Sequence, residues 1–306
     1  MERVRWSGNI LVLKLVYWLS TSYMIGCHCI CHREALACKA AAGECDYVSE
    51  YFGRIEHLGR YFQASAKRTS DFEMVQDELG EARSKIITSA FTRWLSHDLV
   101  TKSIDANFHS LWKSLQRDSQ SDLIAPGLFN AINTIEFVAV TLLMRDVLPI
   151  VTTLSKKFQS ADADMTVIET DLADVLSQIS HLRQNPGHNV RTLQARITDL
   201  ESKGCHLKFS RFRDAGWFAT LQSTFLNSIH AHLHSMFPNM PVMSALYRLL
   251  NAKAYPSSTD DVLQATFLKH EFELVSKFYS THPGIDTAIL QVSLYCHRHL
   301  TFGCSG

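Results

Sequence analysis

Ile135-Glu136-Phe137-Val138-Ala139-Val140-Thr141-Leu142-Leu143-Met144-Arg145-Asp146 is the stretch on which the fold turns. Within the longer segment from Leu128 to Phe158, Ile135, Phe137, Val138, Val140, Leu142, Leu143 and Met144 cover most of the circumference of a helix. A helix that is apolar on every side has to be buried, so other helices must surround it. Arg145 and Asp146 are expected to interrupt the run before it could span a bilayer, which needs about 20 apolar residues. Pro149 has no amide hydrogen and is expected to kink the helix or to start a new one.

Helical spacing continues on both sides of this segment. Val48, Tyr51, Phe52, Ile55, Leu58 and Phe62 recur mostly three and four residues apart and mark one helix face. Thr69 or Ser70 is expected to cap a short helix through Phe72, Val75 and Leu79, which Gly80 stops. Lys85 to Ile87 reads as a short strand, and residues 96 to 115 read as one helix. A Ser-, Asp- and Gln-rich loop closed by Pro126-Gly127 then leads into the central segment. Downstream, Thr166 and Glu169 form a capping-box pattern ahead of Ile168, Leu172, Val175, Ile179 and Leu182. The turn Asn185-Pro186-Gly187 separates that seam from Val190, Leu193, Ile197 and Leu200, with Gly204 as the next stop. Two amphipathic helices joined by so short a turn suggest an antiparallel hairpin. Further helices are expected from Trp217 to Met236 and from Asp260 to Tyr279. The fold class is therefore mainly α, a helical bundle.

Composition narrows the function classes. Lys plus Arg and Asp plus Glu each number 30, so the formal charge is zero and no global field draws the chain to nucleic acid or an anionic membrane. Apolar residues at 46% against 20% charged describe a globular chain, not a disordered one. Five of the eight cysteines cluster between Cys27 and Cys45, which reads as scattered intracellular thiols and not as a secreted disulfide framework. Arg3 and Arg5 precede the apolar run Ile10 to Leu19, and Ser20, Thr21 and Ser22 follow, which approximates a signal peptide. Lys14 splits that run and no Ala-type cleavage site follows it, so secretion is the minor alternative.

Three stretches carry a family resemblance. The first is His28-Cys29-Ile30-Cys31-His32-Arg33-Glu34-Ala35-Leu36-Ala37, a C-x-x-H motif running into an apolar helix. The second is Lys67-Arg68-Thr69 with Phe91-Thr92-Arg93-Trp94-Leu95-Ser96, a T-R-W motif. The third runs from Glu136-Phe137-Val138 through Asp146-Val147-Leu148-Pro149-Ile150 to Phe158. In this order and spacing, over residues 28 to 250, the chain resembles vertebrate zinc-finger-fused DNA transposase-derived proteins of the hAT superfamily. The resemblance implies a helical insertion-type domain over 121–306 and a small remnant of an RNase H-like α/β domain over 28–120, behind a divergent segment 1–27. It implies that Cys29, His32, Arg93 and Trp94 are structural motif residues, Cys29 and His32 helping to join a strand end to a helix start and packing near Trp94, and that the protein is nuclear.

Members of that family cut DNA with three carboxylates that hold two divalent metals, because hard cations take oxygen ligands. Two Asp residues precede C-x-x-H, and a Glu lies in an A-x-x-E-R-x-F-S segment after the insertion. Here residues 1 to 45 contain no Asp, and no such Glu segment follows; Glu271 and Glu273 sit in an unrelated amphipathic context. The resemblance thus implies a fragment without catalysis or cofactor.

Cys27, Cys29, Cys31 and His32 are the candidate metal ligands, but adjacent and alternate positions cannot all converge on one tetrahedral ion. A second knuckle would have to come from Cys38 and Cys45, or from Cys296, His297, His299 and Cys304. The structural reading of the motif is preferred, with no metal. His230 and His234 share a helix face without the Glu of a zinc-protease motif and read as a helical surface. Lys208, Arg211 and Arg213, beside Phe209 and Phe212, are candidate phosphate contacts or a solvated basic stretch. The expected function is a helical protein-interaction or self-association module, with a homo-oligomer or another protein as partner and no membrane. A DNA-binding remnant and a secreted or metal-binding helical protein are the alternatives.

Overall fold

The computed structural model describes residues 30–88, 94–158, 165–209, 216–237, 239–250 and 268–281. Among them the chain is mainly helical and no strand occurs; the one β-type contact is an isolated parallel bridge between Thr134 and Lys208. In chain order the helices are α1 (Ile30–Gly43), α2 (Asp46–Gln63), α3 (Ala66–Glu78), α4 (Trp94–Ala106), α5 (Phe108–Asp118), α6 (Ala125–Ile132) and α7 (Ile135–Phe158). They continue with α8 (Met165–Gln184), α9 (His188–Arg191), α10 (Leu193–Ser202), α11 (Trp217–Met236), α12 (Met240–Leu250) and α13 (Lys269–Ser280).

Two compact units emerge. The described residues of 30–161 and 171–236 form the larger, and those of 162–170 and 237–306 fall in the smaller. No division falls at residue 120, because α5 and α6, on either side of it, pack on each other. In the smaller unit α12 and α13 pair through Ala245, Leu249, Leu268 and Val275, with Arg248 bonded to Glu271 at 2.8 Å. The sequence reading did not include α12, although Met240, Met243, Leu246 and Leu249 recur at helical spacing.

The larger unit is built around α7, which packs against α1, α2, α4, α6, α9, α10 and α11. Phe137, Val140, Met144, Val147, Leu148, Val151 and Leu154 are all fully buried along it. Tyr51 and Phe108 add rings against Phe137, at 5.3 and 6.2 Å between centroids. Two buried hydroxyls on α7 are satisfied by its own carbonyls: Thr141 donates to Phe137 at 2.8 Å and Thr152 to Pro149 at 3.2 Å. Along α1, Ala37, Cys38, Ala41 and Ala42 are buried, and such small side chains let α11 approach closely.

Two expectations for the central segment change. Arg145 and Asp146 do not keep the segment from the length and apolarity of a membrane span, and Pro149 lies inside the helix without starting another. The resulting 24-residue helix, about 36 Å long at 1.5 Å per residue, is long and apolar enough to cross a membrane by length and composition. It is instead mostly buried inside the protein, and the two charged residues in its middle, Arg145 and Asp146, have protein partners. Arg145 bonds Asp105 of α4 at 3.2 Å. Asp146 accepts from the Asn189 amide at 3.0 Å, the Asn189 side chain at 2.8 Å and the Val190 amide at 2.9 Å. A carboxylate in the α7 wall thus caps the start of α9.

That contact also explains the turn glycine. A Cβ at Gly187 would overlap the Asp146 carboxyl, and three hydrogen bonds keep that carboxyl from moving aside. It redirects the expected hairpin as well, because α9 and α10 pack on α7 and do not run along α8.

Elsewhere the differences are local. Ser65, not Thr69 or Ser70, caps α3, its hydroxyl accepting from the Arg68 amide at 3.4 Å. Gly80 and Gly204 do stop their helices, both at positive φ. The helix expected over 96–115 is two helices, broken at the buried Asn107. Pro126 and Gly127 lie in the first turn of α6 and do not form a separate turn. The start of the helix expected at Asp260 lies outside the described residues.

Substituting Gly187→Ala should destabilise the protein by about 2 kcal/mol in urea unfolding, as should Asp146→Ala. Because both act on one contact, the double variant should cost less than the sum. Full additivity would show that the two substitutions do not act through one shared contact.

Candidate functional site

Most of the expected C-x-x-H and T-R-W residues escape structural test. Cys27, Cys29 and Arg93 lie outside the described residues, as do the side chains of Cys31 and Trp94, although those two belong to α1 and α4. His32, in the first turn of α1, is exposed. Among the described residues no three His, Cys, Asp or Glu side chains converge as a metal site would require. Lys208 is exposed, and its backbone is committed: its amide donates to the Asn133 carbonyl at 3.1 Å and its carbonyl accepts from the Ile135 amide at 3.0 Å. Arg211, Phe212 and Arg213 lie outside the described residues, and Phe209 is exposed.

The α11 histidines divide three ways. His232 bonds Glu44 at 2.7 Å, and Ser228 donates to the same carboxylate, so Glu44 clamps the end of α1 to α11. His230 is half-buried, and burial, then Arg183 and His234, hold it below its ordinary pKa. His234 is exposed.

The densest polar arrangement surrounds the loop from Glu81 to Thr88, where the sequence suggested a strand at Lys85 to Ile87. Helical side chains take the place of neighbouring strands. The fully buried Gln76 of α3 donates to the Ser84 carbonyl at 3.1 Å and accepts from the Ser84 amide at 3.2 Å. Gln63 of α2 donates to the Ile86 carbonyl at 3.2 Å, and Ser103 of α4 to the Lys85 carbonyl at 3.0 Å. Gln76 and Ser84 both donate to the Asn107 side chain, at 2.9 and 2.7 Å. At the base of the loop, Glu81 meets His109 at 3.0 Å and also accepts from Ser110. Gly59 of α2 lies where the loop crosses, since a Cβ there would sit 2.8 Å from the Ile87 carbonyl oxygen. Buried backbone groups must be paired, and these side chains do the pairing.

Beside this loop lies an open cleft of about 350 Å³, with Phe62, Phe72 and Ile86 as an apolar floor and Gln63, Glu73 and Lys85 among its polar lining. The turn before α6 presents the opposite feature. Leu123 is 100% exposed and Ile124 58% exposed. Asp122 fixes that turn by accepting from the Ile124 amide at 2.7 Å, the Ala125 amide at 3.1 Å and Arg68 at 2.6 Å. Arg68 is itself held over the Tyr61 ring at 4.0 Å.

Three buried titratable groups, Glu34, Cys38 and His97, have shifted titrations. Glu34 of α1 has no accessible surface; burial pushes it up to about 8, and the Ser155 hydroxyl, donating at 2.7 Å, only partly offsets this. It is therefore a neutral acid at pH 7. Cys38, one turn along, is raised by burial and then by Glu34, so it is no nucleophile. Burial lowers His97 to about 4, beside the Phe52 ring at 4.8 Å.

The sequence reading passed over Gln76, Glu34 and Leu123. For the first two a signal exists: Gln76 shares a helix face with Phe72, and Glu34 with Cys38 and Ala41, each a polar group on an apolar face. No family model matches this chain, and neither does any curated protein or solved structure.

Glu34 and His97 set a pH dependence. Glu34 is protonated in the folded state up to about 8 but ionised above about 4.5 when unfolded, so its contribution falls as pH rises through that window. His97 is neutral when folded and protonated below about 6.5 when unfolded, so its contribution is lost as pH falls from 6.5 towards 4. Of these two groups, only Glu34 changes its contribution appreciably above pH 6.5. Stability should drop by up to about 2 kcal/mol between pH 6.5 and 8, at about 1.4 kcal/mol per unit. Chemical unfolding should find Glu34→Gln flat over that interval; an equal slope in the variant would remove Glu34 as the cause.

Proposed function

We propose that this chain is a non-catalytic hAT transposase-derived fragment that acts as a helical self-association or protein-interaction module. The observation that carries the interaction reading is the turn at Asp122, whose backbone is hydrogen-bonded in place while Leu123 is left fully exposed and Ile124 largely exposed. A turn whose backbone is already ordered gives up less entropy on binding than a flexible one. The descent reading rests on the C-x-x-H, T-R-W and Glu136 to Phe158 stretches. In it, residues 28–120 derive from an RNase H-like region and the protein is nuclear. The non-catalytic reading rests on the missing Asp pair and Glu of the family pattern. Zero net charge favours a protein partner over nucleic acid.

Sedimentation equilibrium over a wide concentration range should show a mass rising above that of one chain; a strictly monomeric protein at the highest concentration would defeat self-association. Incubated with supercoiled plasmid and Mg²⁺ or Mn²⁺, the protein should leave the DNA intact. Nicking that disappears when one of its own carboxylates is replaced would refute the non-catalytic reading.

A further inference from the structure

We propose that Glu34 is a latch whose ionisation parts the paired helices α1 and α11 from α7 while the rest of the larger unit stays folded. The packing draws the seam: α11 packs mainly on α1 and only lightly on α7. Polar bonds tie the pair together near both ends of α1. Arg33 donates to the Met236 carbonyl at 2.9 Å, while Glu44 accepts from Ser228 and meets His232 at 2.7 Å. Across the seam, Glu34 of α1 accepts from the Ser155 hydroxyl of α7 at 2.7 Å. Its other oxygen is buried and has no hydrogen-bond partner. A protonated acid is tolerated in such a place, whereas a carboxylate would be a buried charge held by one hydrogen bond. The far end of the pair, where Trp217 of α11 meets the Tyr47 ring of α2 at 4.9 Å, is the hinge.

The other charged and titratable groups of the packed helices are exposed or committed elsewhere. On α1, His32 and Lys39 are exposed, and Arg33 holds Met236. On α7, Lys156 is exposed and Lys157 bonds Asp171 of α8. On α11, His232 bonds Glu44, His230 is half-buried and His234 is exposed; near the start of α2, Asp46 is exposed and Arg54 bonds Glu50. Cys38 lies one turn along the Glu34 face of α1, and burial, then Glu34 itself, keeps its thiol protonated. Burial therefore sets the titration of Glu34, at about 8, with Ser155 partly offsetting it. Once the seam parts, the acid meets water and returns to its ordinary value near 4.5. The open form thus binds fewer protons over that interval, and its population grows about tenfold per pH unit before levelling above about 8.

Cys38 reports the opening, because it is fully buried beside the latch; Cys205, fully buried after α10, is the internal control. Labelling of the full chain with iodoacetamide, read by peptide mass spectrometry, should modify Cys38 faster than Cys205. The Cys38 rate, divided at each pH by that of a Glu34→Gln protein, should rise about tenfold from pH 6.5 to 7.5 and flatten above about 8. Ser155→Ala removes the bond that favours the ionised acid, so it should move the flattening to higher pH. That variant, compared directly with the parent, tests the latch even where Glu34→Gln does not fold. A ratio that is constant with pH, or a Ser155→Ala profile identical to the parent's, overturns the latch. Cys38 and Cys205 labelled at one rate with one pH gradient would mean unfolding of the whole unit, which overturns the local opening. None of these results bears on the interaction reading, which sedimentation tests separately.

Discussion

One constraint organises the larger unit: α7 is apolar around most of its circumference, is mostly buried, and must be enclosed by other helices. A single flanking hairpin cannot do this. Helices from before and after α7 therefore share the task, α1, α2, α4 and α6 from the one side of the sequence and α9, α10 and α11 from the other. Each polar group drawn into that enclosure then needs a partner within the protein. Arg145 finds Asp105, Asp146 finds the start of α9, and Ser155 finds Glu34. These pairings fix where the surrounding helices sit, which hydrophobic burial alone leaves loose.

The helices were legible in the sequence wherever apolar periodicity and a breaker agreed. Gly80, Gly204 and the end of α11 before Pro238 fell where their side-chain chemistry put them. What failed was reasoning from one residue against a strong background. Arg145, Asp146 and Pro149 look like interruptions one at a time, yet the packing around α7 outweighs their combined cost and supplies the charged pair with partners. The hairpin failed for a related reason. A short turn limits how far apart two helices start, but Asp146 decides which neighbour the second one packs on. The strand at Lys85 to Ile87 misled because β-branched residues suit any extended backbone. They do not reveal whether the partner is another strand or the side chains of Gln63 and Gln76.

The candidate site was much less legible. Its cleft is formed by α2, α3 and a loop that meet only in the folded chain, and the residues that hold the loop are ordinary glutamines and serines. A polar residue on an apolar helix face is a readable anomaly, and Gln76 and Glu34 are two such cases. Leu123 is the reverse: nothing in Ser-Asp-Leu-Ile tells a reader that the leucine points outward, because that depends on Asp122 reaching Arg68, 54 residues earlier in the chain. Cys29, Arg93 and Arg211, on which the family resemblance and the basic stretch lean, lie outside the described residues.

The enclosure of α7 has a consequence for how the protein is made. The chain leaves the ribosome from its N-terminal end, so α1 to α6 are available when α7 emerges, while α9, α10 and α11 are still to come. For that interval the helix presents one greasy flank, long enough to suit a lipid bilayer, to the cytosol. The nascent polypeptide then exposes apolar surface that the finished fold conceals. Release of α9 lets Asp146 engage it and begins to close that window.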